Sequence, residues 1–562
     1  MSERDISPAQ IGAQIWVQAT IVFTAALLIR LVNLDHDAHI DEFFHVLAAR
    51  SWLAEGTLRI ADGIYDRGAL YTMGLGWWFG LFGDSLISAR IPSALAGSLW
   101  VAAVFLWTRA VAGSGAAWIA AALFGLAPAA IWLSQFTRFY TVHGLLFWLG
   151  AAGVYHLFAH PFRRANIPAR AAVAIGTAVC FAIATHLQVT TLIGILGIGL
   201  WVAYELATAW LRSGYSRPTR LLGIAALAGA AVLVAVVLVY SGLAEDLFRS
   251  YRSVAYWNRV NQDYPGFYFN LFLEQYPTLW PLLPAAALAA IAARPQPALF
   301  ASLVFGTAFV LHSFAGNKLE RYIYYAMPYF FVIWGIALAH WLPAFGRGLN
   351  AAADRTLSAL EIGDRTWIRR PARWTLLAVV AAFLVLGNPA FTQTFGELLQ
   401  PPEPERTEAW TTLREELAPL IESVDVLVTT DELRSLYYFG RSDILVNRIR
   451  LMETPNPAEF KDDPRTGRPI ISATESVRLV LACYPTGLFI SNEYYWRSPE
   501  GLTDAAADLL VAQAEPIVLP LDVKLHVYHW RNTEQPAPVA CNKLPGITDP
   551  VEAPSPTTAP AS

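Results

Sequence analysis

Apolar runs of about 18 to 22 residues recur from near residue 15 to near residue 391 of this 562-residue chain. That length crosses a hydrocarbon core of roughly 30 Å at 1.5 Å per helical residue, and a buried soluble core has no need of it. Only 15% of the residues are charged, against roughly 25% in an average soluble domain, and 55% are hydrophobic. The pattern predicts about eleven spans, over 15–34, 88–108, 115–134, 141–158, 170–187, 189–206, 221–241, 277–293, 297–314, 322–343 and 373–391. A net charge of -4 gives no pull toward nucleic acid.

Lys and Arg in the short connections set the expected direction. The segments 161–170, 211–220 and 347–373 are all basic, as is Arg109, and in this scheme all fall on one side. The positive-inside rule makes that side cytoplasmic. The N-terminus is then cytoplasmic, and 35–87, 135–140, 242–276, 315–321 and everything after 391 lie outside. No small-residue cleavage site follows the first apolar run, so the first helix is read as retained. Two pieces of the first outer segment are apolar but too short to span. They are EFFHVLAARSWLAEG and GALYTMGLGWWFGLFG (68–83), read as interfacial helices.

Past residue 391 the composition becomes that of a soluble domain. A charged helical stretch (404–423) precedes VDVLVTT (424–430), a helix-like DELRSLYYFG and DILVN (443–447). RLVLACY, GLFIS and PIVLPLDVKLHVYHW read as further strands. The expected fold class is thus a polytopic all-α membrane protein with a C-terminal soluble α/β domain. The divisions are 1–391 for the membrane domain, 392–543 for the extracytoplasmic domain and 544–562 for a disordered Pro/Ala/Ser/Thr tail. Cys483 and Cys541 fall in the C-terminal region, where an oxidising compartment permits either a disulfide or two separate thiols.

Ionisable residues are nearly absent from the middle of the spans, which argues against an ion-coupled transporter with charged or broken helices. They cluster in the outer segments. DHDAHIDEFFH puts Asp35, Asp37, Asp41 and Glu42 with His36, His39 and His45 just beyond the first span. A carboxylate there suits a base for a hydroxyl attacking a lipid-borne group; the alternative is a solvated acidic loop. Arg67, Arg138, Arg252, Arg259, Lys318 and Arg321 supply cations on the same side, as a phosphate would require. Asp41 and His45 stand at i and i+4, the spacing of two helical metal ligands, so a divalent metal with His39 and His45 as candidates is an open alternative to plain loop histidines.

Three stretches together carry a resemblance: RLVNLDHDAHIDEFFH, then YDRGALYTMGLGWWFGLFGDSLISARIPSALAG, then SQFTRFYTVHGLLFW. The chain resembles the C-superfamily (GT-C) membrane glycosyltransferases, and is similar to the protein O-mannosyltransferases and the lipid A aminoarabinose transferases. HSFAGNKLERYIYYAMPYFFVIWG (312–335) is similar to their late Lys/Tyr/Pro segment. The resemblance implies Asp41 as general base with Glu42 in support. It implies Arg67, Arg138, Lys318, Arg321 and Tyr322 as contacts to a donor phosphate, and Tyr71, Tyr140, Arg252 and Arg259 as substrate-segment residues. The chain departs where Asp66-Arg67-Gly68 replaces the family's Lys-Pro-Pro, and where Arg138 is followed by Phe139-Tyr140 rather than an Asp.

The implied activity is transfer of a sugar from a polyprenyl-phosphate donor to a lipid, polysaccharide or protein hydroxyl, with inversion, at the outer face of the cell membrane. No cofactor is required by the pattern beyond the open question of a metal. The competing readings are a lipid or lipid-linked-sugar flippase and a non-catalytic membrane scaffold.

Overall fold

The computed structural model describes residues 8–36, 38–159, 167–212, 236, 239–359, 379, 382–384, 386–399, 410–519, 524–532, 541 and 544. In chain order, α1 (Pro8–Leu31) is followed by α2 (Ile40–Glu55), the ribbon β1 (Arg59–Ile60) and β2 (Gly63–Ile64), and α3 (Ala69–Phe82). Apolar helices continue as α4 (Leu86–Ala112), α5 (Ser114–Gly125), α6 (Pro128–Trp132), α7 (Tyr140–Ala159), α8 (Ile167–Leu187) and α9 (Thr191–Arg212). Then come α10 (Leu243–Arg252), α11 (Phe267–Gln275), α12 (Leu279–Ala293), α13 (Pro295–Ser313), α14 (Glu320–Ile323), α15 (Met327–Ala359) and α16 (Pro389–Leu399). The C-terminal region runs α17 (Trp410–Ser423), β3 (Val426–Thr429), α18 (Glu432–Phe439), β4 (Ile444–Val446), α19 (Arg448–Glu453), β5 (Lys461–Asp462) and β6 (Pro469–Ile471). It ends with α20 (Thr474–Cys483), β7 (Thr486–Asn492), α21 (Asp504–Gln513), β8 (Glu515–Pro516) and β9 (Leu525–Arg531).

Contacts divide the chain into two compact units, residues 1–34 with 90–402 and residues 35–89 with 403–562. The segment 35–89 therefore packs with the C-terminal domain, although more than three hundred residues separate them in sequence.

Among the described residues of the first unit, seven helices are long and apolar enough to cross a membrane, or nine when each of two bent pairs counts as one span. The protein is thus a multi-pass membrane protein. The span expected over 221–241 lies largely outside the described residues, as do about half of 373–391 and most of each basic connection. Two expectations need correction. The run 115–134 is broken, with α5 meeting Pro128–Gln135 at 70°, and α11 meets α12 at 94°. Pro128 at the first position of α6 and Pro277 after α11 explain the breaks, since proline has no N–H to continue the preceding helix. Sharply bent apolar helix pairs, which the sequence did not reveal, are therefore present among the described residues.

Helix α5 crosses α15 where both backbones are bare. Ala116, Ala117 and Ala120 are buried, and a Cβ added to Gly335 would meet the Ala116 carbonyl oxygen at 2.7 Å. Small residues let helices approach in lipid, where apolar burial alone supplies no drive. Elsewhere Phe272, Tyr276, Trp280, Phe305, Phe309 and Phe330 interlock ring on ring, with centroids 4.8 to 6.4 Å apart.

The second unit is built on a seven-stranded sheet of order β5-β6-β4-β3-β7-β9-β8, parallel through β6, β4, β3 and β7 and antiparallel at its edges. Alternation along the strands gives it two apolar faces. Val426, Val428 and Phe489 pack on α20 and α21, whereas Leu427, Leu488 and Ile490 pack on α17 through Trp410, Leu413, Leu417 and Ile421. RLVLACY, expected as a strand, lies in helix α20. Val477, Val480 and Leu481 are its buried stripe at helical spacing, a pattern that a short apolar run does not distinguish from a strand. Cys483 and Cys541 form a disulfide, with Cα atoms 5.6 Å apart. The tail expected to be disordered falls outside the described residues beyond Leu544.

Candidate active site

In the second unit the acidic pair lies where α2 begins. His39 is extended (φ -68°, ψ 143°) and caps the helix: its Nδ1 accepts the Asp41 N–H at 3.1 Å. Glu42 answers by accepting the His39 N–H on Oε1 at 3.0 Å, completing a capping box, and is fully buried. Glu42 thus fixes the helix start. Asp41 stays half-buried in the first turn, where the helix macrodipole stabilises a negative charge by about 0.3–1 kcal/mol.

The next residues hold α2 on several sides. His45 Nδ1 is 2.8 Å from Thr72 Oγ1 of α3, and its ring meets Tyr65 and Tyr71 edge-on. Arg67 is exposed in the turn ahead of α3, whose Gly68 has a positive φ of 66°. Among the described residues no three His, Cys, Asp or Glu side chains are arranged to hold a metal ion.

In the first unit the structure brings four of the expected residues together. Arg138 is 2% exposed, with its Cζ 5.7 Å from the Phe139 ring and 5.8 Å from the Tyr140 ring. Arg321 Cζ lies 5.8 Å from that same Tyr140 ring and 5.8 Å from Tyr322. Two guanidinium groups therefore share one buried aromatic face-provider, at most about twice that distance apart. The Arg138 carbonyl is held by Ser93 Oγ at 3.3 Å.

Lys318 is placed differently from a bare phosphate ligand. It is 1% exposed and its Nζ donates to the carbonyls of Asn261 (2.9 Å) and Gln262 (2.7 Å). Burial lowers its pKa from the usual lysine value, against a smaller opposing effect of Asp263. Asn258 Nδ2 donates to the Lys318 carbonyl (2.8 Å) and to Asn317 Oδ1 (2.5 Å), and Asn317 Nδ2 reaches the Tyr322 hydroxyl at 3.2 Å. Lys318 and Tyr322 thus belong to one amide-lined network with the segment 256–262. Arg252 and Arg259 are exposed; Arg252 lies over Phe248.

The framework around these groups was not legible as such. Arg30 is fully buried. It donates to Ser134 Oγ (3.0 Å) and to the carbonyls of Ala26 (3.0 Å) and Ala130 (3.3 Å), which satisfies acceptors at the bent span. Arg90, also fully buried, donates to Leu34 O at 2.8 Å, and Gln135 donates to the carbonyls of Arg30 and Val32. ARIPSALAG therefore does structural work: Arg90 closes the end of α1 and Ser93 holds Arg138. His143 and His312 are also buried within helices, bonded to Thr191 Oγ1 (2.7 Å) and Tyr325 Oη (3.3 Å). No spacing marks either histidine in the sequence.

Comparison with protein-family models and with curated proteins finds no match. Comparison of folds does. Over 93% of this chain and 98% of the other, the structure is similar to ArnT from Cupriavidus metallidurans bound to undecaprenyl phosphate, with a TM-score of 0.57 at 15% identity. The apo form of that ArnT matches with a TM-score of 0.57 at 18% identity, over 92% of this chain and 98% of the other. The archaeal oligosaccharyltransferase AglB from Archaeoglobus fulgidus, in complex with an inhibitory peptide and a dolichol-phosphate, matches with a TM-score of 0.53 at 13% identity, covering 85% of this chain and 69% of the other. At these identities the likeness is one of fold alone, a fold shared with ArnT and with AglB.

Proposed function

We propose that the protein transfers a sugar from a polyprenyl-phosphate donor to a hydroxyl acceptor at the extracytoplasmic face of the membrane. The observation that carries this reading is the pair Arg138 and Arg321 on the ring of Tyr140. Two guanidinium groups in a water-poor setting suit a phosphate that gains negative charge as its bond to carbon breaks. The shared fold supports it, since one neighbour was solved with undecaprenyl phosphate and another with a dolichol-phosphate and a peptide.

In the reaction, Asp41 takes the proton of the acceptor hydroxyl while that oxygen bonds to the anomeric carbon. The carbon–oxygen bond to phosphate breaks, and its electron pair leaves with polyprenyl phosphate. Attack opposite the leaving group inverts the anomeric centre. Glu42 supports the base by fixing the start of its helix. Arg138, Arg321 and Tyr322 hold the phosphate, with Arg67 as a further cation. Lys318 adds the third N–H of its ammonium, two being committed to carbonyls. Tyr71, Tyr140, Arg252 and Arg259 belong to the surrounding substrate segments. The disulfide supports an oxidising compartment for the second unit.

A flippase reading draws on the two bent helix pairs, since broken helices line lipid and ion pathways. Transfer of radiolabelled sugar from a panel of polyprenyl-phosphate donors separates the two. Membranes carrying the natural chain should transfer label to an acceptor, and Asp41→Asn at equal protein level should lower this by at least about 100-fold. Undiminished transfer by Asp41→Asn removes the base. Movement of labelled lipid across the bilayer without any transfer establishes the flippase.

A further inference from the structure

We propose that Arg465 is a positioning residue for the helix that bears Asp41, acting through Phe44 and an ion cluster at the carboxyl edge of the C-terminal sheet. The inference rests on Asp41 being the base.

The sheet itself directs attention there. In β6-β4-β3-β7 the strand order reverses direction at β3, and β3 and β7 are parallel neighbours. In open α/β sheets the carboxyl ends at such a reversal form a crevice in which ligands bind. Here the residues that follow β3 meet the segment 35–89 instead. Asp431 caps α18, and α18 lays Leu433 and Tyr437 against Phe43 of α2, with Phe43 and Tyr437 ring centroids 5.0 Å apart. Arg434 is tied to Asp431, donates to the Ala38 carbonyl at 3.4 Å and lies 6.0 Å from the Phe43 ring.

The turn 463–468 grips the same segment from beyond β5. The Asp62 N–H donates to Thr466 O at 2.9 Å, and Arg468 pairs with the Asp62 carboxylate at 3.0 Å. A Cβ on Gly63 would overlap the backbone of Arg465, so the ribbon is seated directly on this turn. From the turn, Arg465 reaches Glu432 Oε1 at 3.2 Å and Asp463 Oδ2 at 3.7 Å, and its Cζ stands 5.0 Å from the centre of the Phe44 ring. Phe44 is in turn stacked on Tyr65, with centroids 5.3 Å apart and planes 14° off parallel.

Phe44 stands three residues after Asp41, one helical turn on, so the ring fixes the rotation of α2 and with it the direction of the Asp41 carboxylate. Glu432 and Asp463 are 4% and 0% exposed. Burial raises the Glu432 pKa, which Arg465 partly opposes. Buried ion clusters are poor sources of stability because desolvation cancels the attraction, and their best-attested use is to specify one arrangement. The planar guanidinium does two things at once here, donating to Glu432 with Asp463 as a longer ionic neighbour and covering a ring, which an ammonium does not reproduce.

The test uses the full-length protein in membranes and reads kcat and KM for donor and acceptor in Arg465→Met, in Phe44→Leu and in the double variant. Phe44→Leu leaves the ion cluster intact and guards against a folding failure of Arg465→Met. Each single variant should lower kcat by about tenfold or more with the donor KM within about twofold, and the double variant should lose no more than the worse single one. An unchanged kcat in a folded Arg465→Met, or losses that multiply in the double variant, overturns the proposal while the Asp41 reading stands. If Asp41→Asn transfers as well as the natural chain, the Asp41 reading fails and the proposal with it.

Discussion

Tyr140 is the most informative single substitution, because its ring is the surface against which both guanidinium groups lie. At about 10 Å and an effective dielectric constant near 20, two like charges repel by roughly 1–2 kcal/mol. A desolvated cation–π contact offsets about 1–2 kcal/mol for each cation. The ring is 1% exposed and stands 5.8 Å from each Cζ, so replacing it by leucine should release both side chains from their places. The summed loss of about 2–3 kcal/mol corresponds to a 30- to 150-fold weaker hold on a phosphate-bearing donor. Tyr140→Phe keeps the ring and should bind within about threefold of the natural chain. Affinity for polyprenyl phosphate, measured on purified protein in lipid nanodiscs by displacement of a fluorescent analogue, checks both. If Tyr140→Leu binds as well as the natural chain, or if Tyr140→Phe is as weak as Tyr140→Leu, the ring is not what holds the two arginines.

Two further expectations concern the first unit. Lys318 has a lowered pKa, so its ammonium loses charge as pH rises through a value below the usual 10.5. The neutral amine keeps two N–H groups for Asn261 and Gln262 and loses the third with the charge, so transfer should fall on an alkaline limb that begins early. Lys318→Arg, permanently charged, should move that limb out of range, and an identical pH–rate profile would exclude Lys318 from phosphate binding. At the α5–α15 crossing, Gly335→Val forces two backbones apart and should cost about 2–3 kcal/mol, read as a lower thermal midpoint in detergent; Gly115→Ala, whose added Cβ meets only the Ala339 methyl at 3.4 Å, should cost far less.

The spans and the sheet were legible because their signals are local. Twenty apolar residues in a row, or the short apolar runs that become β3 and β7, state the element without reference to anything distant. Where a run was short, as in RLVLACY, the helical and extended readings shared the same letters and only packing on the sheet decided. The breaks after α5 and α11 hide for a similar reason, since a proline within an apolar run is also tolerated in a straight helix. The sequence offers Arg138 and Arg321 as separate cations, and the structure puts both beside one ring, that of Tyr140. What each cation touches was not legible. Lys318 looks like Arg321 in sequence, yet carbonyls of a segment some fifty-six residues earlier claim most of its hydrogen-bonding capacity. Glu42 looks like a second catalytic acid and is a helix cap, which becomes evident only once His39 is seen to be extended.

The pairing of residues 35–89 with residues 403–562 also sets an order of events during synthesis. At roughly 5–20 residues per second, the helix bearing Asp41 waits from about 20 to about 80 seconds after it is made before the strands and turn that grip it exist. Every intervening span is inserted in that interval. A chain cut short between residue 402 and the completed sheet would keep Arg138 and Arg321 and yet have nothing to brace the helix that bears Asp41, so the part translated late decides when that helix is first held.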